Sequence, residues 1–229
     1  MRLLAIETST IACSVALCID GQISERYELA PQRHADLVLP MAESLLQDTG
    51  LALADLDAIA FARGPGAFTG LRIAAAVAQG LAWGAGLPAV PVSTLAALAQ
   101  GVIAEGLADR VLAAMDARMG EVYWGAFAAD ANGMATLIGD ECVCPPERVP
   151  AVDAGAWFGA GDGWASYRAA LETRLACDLA RIDGQRYPRA RDVARLALEI
   201  CRQGGARPAV EAVPVYLRDR VATPKAARR

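Results

Sequence analysis

The feature that most restricts the fold is a pattern that occurs twice along the chain. Arg2-Leu3-Leu4-Ala5 opens an apolar run that ends on a carboxylate, Glu7, and a second strand-like run, Cys13–Ile19, leads into Asp20-Gly21. Arg110-Val111-Leu112-Ala113 likewise reaches an acid, Asp116, then Glu121–Ala128, then Asn132-Gly133. Asp-Gly and Asn-Gly between apolar runs are two-residue hairpin signals. Because the order of elements repeats along with the residues, the pattern predicts two related lobes. Their expected bounds are 1–107 and 108–222, with 223–229 as a basic, flexible tail. A chain of 229 residues can hold two small, intimately packed lobes. Hydrophobic residues make up 55% of it, although 50 are alanine, which leaves about a third of the chain as larger apolar side chains to fill a core.

The first half reads as strand Arg2–Glu7, strand Ala12–Ile19, strand Gln22–Leu29, a helix over 33–49 and a buried strand Asp57–Arg63. A small-residue helix over 69–85, a strand Pro88–Val92 and a helix capped by Ser93 follow. An antiparallel opening followed by alternating strands and helices predicts an α/β fold, each lobe a mixed sheet covered by helices. The second lobe is thinner. Beyond its hairpin only Trp157–Ala160 and a helix over 191–203 stand out, with a loop or short helix opening at Pro145-Pro146.

Composition removes several chemistries. His34 is the only histidine, so no site needing two imidazoles fits within the chain. Lys225, the only lysine, sits in a polar tail, where no Walker-type phosphate loop could use it. The six cysteines form no C-x-x-C pair and suit buried, reduced thiols, so no intrinsic metal or other cofactor is expected. Residues 218–229 hold five basic groups and one acid, which leaves −8 on residues 1–217. A body that acidic is not expected to grip a nucleic-acid backbone unaided. Glu7 interrupts the first apolar run, and glycines and prolines break the uncharged stretch 73–104, so neither a secretory signal nor a membrane span is expected; the expected location is the cytoplasm.

Four groups of residues are candidates for function. Glu7-Thr8-Ser9-Thr10, a carboxylate with three hydroxyls at a strand end, could approach a phosphate, although hydroxyls also suit tight turns. Gly64-Pro65-Gly66-Ala67-Phe68-Thr69-Gly70 turns a strand sharply into a helix; a rigid joint capped by Thr69 is the expected role. Gly70, Ala74, Ala78 and Ala82 lie four apart, a row along which another helix could approach closely. On the 33–49 helix, Leu37, Met41 and Ser44 continue beside a first apolar stripe, with His34 at the top. So wide an arc suggests a partner's cover. These two helices form the expected partner interface. Arg218, Arg220, Lys225, Arg228 and Arg229 are candidate tRNA contacts, and Asp116 with Arg118 is expected to be a structural ion pair.

The segments LLAIETSTIACSVAL, RHADLVLP, RGPGAFTGLRIA, DARMGEVYW and PVYLRDRVA together resemble the TsaB (YeaZ) family. The likeness spans residues 1 to about 222 and is least telling over 130–210. Ala67 departs from it, since the family usually carries Ser there. The resemblance implies a duplicated actin/hexokinase-like (ASKHA, RNase H-like) fold. It also implies an accessory subunit with no independent enzyme activity, which heterodimerises with a TsaD-type transferase through two N-terminal helices of each chain. That transferase modifies N6 of the adenosine beside the anticodon in tRNAs reading ANN codons. A TsaE-type ATPase joins the pair, so ATP and a metal belong to the partners and tRNA is met through the complex. The isolated chain is expected to self-pair. The transferase holds its metal with two histidines on the helix comparable to 33–49; here His34 stands alone, with Val38 where a second would be needed.

Two other classes compete. An actin-like or sugar-kinase ATPase shares the fold but should carry a Gly-Gly adenosine clip opening a helix in its second lobe. Gly204-Gly205 instead follows one. A stand-alone RNA-binding module would have to rely on the basic tail.

Overall fold

A computed structural model describes residues 1–218. Strands β1 (Arg2–Glu7), β2 (Ala12–Ile19) and β3 (Gln22–Leu29) form an antiparallel meander. Helix α1 (His34–Thr49) then leads to β4 (Ala58–Gly64), which joins β1 in parallel, and α2 (Phe68–Ala85) leads to β5 (Ala89–Ser93), parallel to β4. The first sheet therefore runs β3-β2-β1-β4-β5. After α3 (Thr94–Ala104) the second half repeats this order. Strands β6 (Arg110–Arg118), β7 (Glu121–Ala129) and β8 (Ala135–Cys144) form a meander, β9 (Ala156–Ala160) joins β6 in parallel, and β10 (Asp178–Asp183) lies on β9. The identical order, with the same parallel and antiparallel pairings, is the duplicated actin/hexokinase-like architecture. Helix α4 (Asp162–Arg174) connects β9 to β10 and α5 (Ala190–Arg202) follows β10, while among the described residues only a single 3₁₀ turn, Pro146–Arg148, stands where the first half has α1.

The two halves exchange their last helices. Val193, Ala194 and Ala197 of α5 pack on the face of the first sheet that carries Leu3, Ala5, Ala60, Val90 and Val92. Leu95, Leu98 and Val102 of α3 pack on Val111, Ala113, Phe127 and Phe158 of the second sheet. The outer face of the first sheet is covered by α1 and α2. The outer face of the second is covered by α4, whose Trp164 shares one buried cluster with Trp124 and Trp157 of the sheet. Five layers result, α–β–α–β–α, and β2 is buried along nearly its whole length because both faces of its sheet are covered. Ser93 caps α3 as its sequence suggests, accepting a hydrogen bond from the Ala96 N–H at 3.1 Å.

After α5 the chain returns to the first half. Residues 209–216 run along one flank of α2: the Gln79 amide donates to the Val210 carbonyl (3.3 Å), and the Val215 N–H donates to the Arg63 carbonyl (2.7 Å). Arg218 then reaches the β6–β7 turn, where it pairs with Glu121 at 2.5 Å and donates to the Arg118 carbonyl at 3.3 Å. Gly204 and Gly205 end α5, their N–H groups donating to Cys201 and Ile200; they are a helix stop, not the start of a nucleotide clip.

Candidate docking surfaces and the strand-one turn

The turn after β1 is built as a joint. Glu7, Thr8 and Ser9 are buried, and each is committed to the chain itself. The Ser9 N–H donates to Glu7 Oε1 (2.5 Å), the Thr8 hydroxyl donates to the Gly70 carbonyl (2.8 Å), and the Ala67 N–H donates to the Ser9 carbonyl (2.7 Å). The glycine-rich loop lies so close that a Cβ on Gly66 would sit 2.7 Å from the Ser9 carbonyl oxygen, and one on Gly70 would overlap the Thr8 carbonyl. Thr10, the one partly exposed member, accepts from the Ala12 N–H at 3.2 Å. Of the residues envisaged for a phosphate approach, Glu7, Thr8 and Ser9 are thus covered by the chain's own loop, and Thr10 stays partly exposed. Burial pushes the Glu7 carboxyl up to about 7, against the lowering effect of its hydrogen bond from the Ser9 N–H. Its Oε2 and the Ser9 hydroxyl have no partner among the described residues. Thr69 is exposed and does not cap α2; the N-cap is Ala67, which offers no side-chain hydrogen bond.

The same close approach corrects the reading of α2. Gly70, Ala74, Ala78 and Ala82 are all buried within the chain, on the core side of the helix. The small row lets α2 settle on its own strand-one turn and sheet, so it cannot be a surface for another helix. The face that does remain open is a different one, with Ala76, Gly80 and Gly84 exposed and Trp83 at 68% exposure. A Cβ added at Gly80 or Gly84 would meet nothing within 4 Å.

Helix α1 is turned in a related way. Val38, Ala42 and Leu45 are buried, and His34 is buried beside them, its Nε2 lying 3.2 Å from the Ala12 carbonyl of β2. Leu37 and Met41 are half-buried against that core, the Met41 sulfur 4.0 Å from Cys13 Sγ, and Ser44 accepts from Arg26 of β3 at 3.3 Å. The stripe assigned to a partner therefore rests largely on the first sheet. Sequence periodicity located two apolar stripes, and the first sheet takes most of both. The other flank is the open one: Leu39, Leu46 and Glu43 face Leu81 of α2 across a groove of about 420 Å³, floored by Leu4 and closed at one end by Leu51 and Leu53. Ile73 and Val77, half-buried a turn or two before Leu81, continue its α2 wall. Leu39 is 49% exposed, which is unusual for a leucine in a helix so near a core. The spacing Ile73, Val77, Leu81 was the signal available in the sequence for this wall.

In the second half, Asp116 and Arg118 form the expected ion pair at 3.1 Å, tightened by the Arg118 N–H donating to Asp116 Oδ1 at 2.8 Å. The Tyr167 hydroxyl also donates to Asp116 Oδ1 (3.3 Å), and Asp162 accepts from the Asp116 N–H (2.9 Å), with burial raising the Asp162 carboxyl. Every polar contact here closes on a neighbour in the chain. Arg218 is engaged with Glu121, while Arg220, Lys225, Arg228 and Arg229 lie outside the described residues. Among the described residues no cluster of three or more His, Cys, Asp or Glu could hold a metal, and no helix is long and apolar enough to cross a membrane.

These features define a two-lobed actin-like protein whose strand-one turn is packed shut and whose first two helices leave an apolar groove. Residues 27–226 match the family model described as TsaD: tRNA N6-adenosine threonylcarbamoyltransferase. The chain is 43% identical over 230 residues to the tRNA threonylcarbamoyladenosine biosynthesis protein TsaB of Escherichia coli, covering 98% of each chain. It is 39% identical to the protein of the same name from Haemophilus influenzae, over 96% of this chain and 95% of that one. Among solved structures, YeaZ from Pseudomonas aeruginosa superposes with a TM-score of 0.88 at 47% identity, covering 94% of this chain and 99% of that one. The chain belongs to the TsaB (YeaZ) family.

Proposed function

We propose that the chain is a non-catalytic partner and scaffold in tRNA threonylcarbamoyladenosine synthesis. In this reading it heterodimerises with a TsaD-type transferase, which modifies N6 of the adenosine beside the anticodon in tRNAs reading ANN codons, and helps to recruit a TsaE-type ATPase. ATP and metal chemistry reside in those partners, and tRNA is met through the complex. The observation that carries the reading is the groove between α1 and α2. Two helices share one edge yet leave Leu39, Leu46, Val77 and Leu81 partly open to water, an arrangement that an apolar helix pair from another subunit would fill. The packed strand-one turn weighs against the rival ATPase reading, since Glu7, Thr8 and Ser9 are buried and the Thr8 hydroxyl and Ser9 N–H are spent within the chain.

The test is reconstitution with the transferase of the same organism. The purified chain should form a stable pair with it in sedimentation velocity, and tRNA modification should require the pair. A Leu39→Glu/Val77→Glu variant should bind the transferase at least about tenfold more weakly, because two carboxylates would have to be desolvated at the contact. The same change should weaken self-pairing of the isolated chain. A variant that binds and supports modification as well as the parent chain would refute the groove as the docking site.

A further inference from the structure

We infer that Cys142 and Cys144 of β8 form a reversible thiol–disulfide site that low-molecular-weight disulfides close, and that its closure strains the join between the two halves of the chain. The site lies within this chain and needs no partner.

The two sulfurs stand 3.9 Å apart, in contact, and both residues are half-buried. Residues two apart on a strand share a face, and here that face rests on the second sheet's outer cluster, with Cys142 opposite Trp124 and Cys144 opposite Val122. No other pair of cysteine sulfurs makes such a contact among the described residues, and Cys13 and Cys18 are fully buried in the first half. Two thiols alone do not make a structural zinc site, which takes four ligands, and no third metal-binding side chain joins them.

Closure would be strained. Two residues of extended strand span about 6.7 Å, at the upper end of the roughly 4.4–6.8 Å between Cα atoms that a disulfide bridges. Bonding the sulfurs therefore draws in the end of β8. Glu141, the residue before Cys142, is the acid that accepts from Ser93 of β5 and faces Arg63 of β4 at 3.7 Å. Any pull on Cys142 thus reaches the contact by which β8 holds the first sheet. Strained disulfides are the easily reduced ones, so this pair suits a reversible site better than a permanent cross-link.

The chemistry is thiol–disulfide exchange with a small disulfide such as oxidised glutathione. Burial raises both thiols, Cys144 to about 12, with the neighbouring charge of Cys142 adding to the effect. The Cys144 S–H works the other way on Cys142, favouring its thiolate, so Cys142 is the attacking sulfur. It displaces one glutathione thiolate and becomes a mixed disulfide. With its charge gone, Cys144 loses a proton and attacks Cys142 Sγ, expelling the second glutathione. The two cysteines are oxidised, the small disulfide is reduced, and the two protons end on the two glutathiones. Burial makes the first step slow, on the scale of hours.

The experiment holds the purified chain overnight in glutathione buffers from fully reduced to fully oxidised, then traps free thiols with N-ethylmaleimide. Tryptic peptide 119–148 contains both cysteines and no other. In oxidised buffer it should take up no label and weigh about 2 Da less than the dithiol form. Excess reduced glutathione should restore labelling. Cys142→Ser and Cys144→Ser should each abolish the mass loss, whereas Cys177→Ser/Cys201→Ser should keep it. The oxidised parent should melt at least about 2 °C below the reduced one. Full labelling at the most oxidising poise would overturn the inference. So would a lasting glutathione adduct without ring closure, or a mass loss that depends on Cys177 or Cys201. A disulfide that excess glutathione cannot reduce, or a melt unchanged by oxidation, would also overturn it, because strain at the join is what makes the site reversible.

Discussion

At the scale of single residues, Glu7 shows how a family-like motif can serve structure. Its side chain is fully enclosed, its one bond comes from the Ser9 N–H, and its second oxygen has no partner among the described residues. Ionising it there costs solvation that one hydrogen bond does not restore, so burial raises its carboxyl to about 7. In the unfolded chain the same group ionises near its ordinary value of 4.5. Between those two values the folded state keeps a proton that the unfolded state has lost, so stability contributed by the neutral carboxyl is fully present below 4.5 and is lost as pH rises to 7. The size of the loss is on the order of 3 kcal/mol for a shift this large. Glu7→Gln, which keeps an acceptor for Ser9 but cannot ionise, should therefore gain on the parent chain steadily from pH 4.5 to 7 in urea unfolding. A stability difference between the two chains that stays constant across that range would show that Glu7 is already ionised in the fold.

At the scale of elements, α2 separates two uses of small residues. Ala78 is fully buried in the row that rests on the core, whereas Gly80, two positions on, would place a Cβ in open space. Ala78→Leu should cost about 1–3 kcal/mol by overpacking. Gly80→Ala should raise stability by roughly 0.5–1 kcal/mol, because it removes backbone freedom from the unfolded chain at a helical position with room for a methyl. Chemical denaturation of the isolated chain measures both, and a destabilised Gly80→Ala would mean that the outer face of α2 is not open. The row was legible in the sequence as a place of close approach. What approaches was not, because a missing side chain leaves no mark of whether the chain's own turn or another molecule fills the space. Elements with covered faces were legible in the same way: β1, β2 and β3 carry the bounds read from pattern and turn residues alone, and α1, α2 and α3 lie within a residue or two of theirs. The strand β10 and the helix α4 were not found, and β8 was implied only by the Asn132-Gly133 hairpin turn, without bounds. Residues 137–140 of β8 are exposed and interrupted by Gly139 in a left-handed conformation, and β10 is an edge strand without a buried residue. Helix α4 buries only Gly163, Trp164 and Leu171, so its sequence has no apolar stripe to betray it.

At the scale of the whole molecule, the exchange of α3 and α5 makes two lobes of similar design depend on each other. The inner face of the first sheet is Leu3, Ala5, Ala16, Ala60, Val90 and Val92, and the side chains that cover it, Val193, Ala194 and Ala197, come from the far end of the chain. Polar contacts reinforce this crossing. Glu25 of β3 accepts from the Arg191 N–H at the first turn of α5 and pairs with Arg189 at 2.6 Å, and the Ser14 hydroxyl accepts from the Ala190 N–H. On the other side Ser93, Arg63 and the largely buried Glu141 bring β5, β4 and β8 together, with burial raising the Glu141 carboxyl against the pull of its two partners. The repeat in the sequence points to a cut near residue 107, yet a fragment ending there would strip α3 of the second sheet, leaving it only the Ala97 side against the first, and lose the helix that covers most of its own sheet. Residues 1–107 expressed alone should therefore lack a cooperative thermal transition and bind a hydrophobic dye. Mixing with a separately made 108–229 fragment should restore one transition and suppress the dye signal, because the exchanged helices then regain their sheets. A 1–107 fragment that melts cooperatively by itself would show that α3 can fold back onto its own sheet, and that the exchange seen here is one arrangement of two independent lobes.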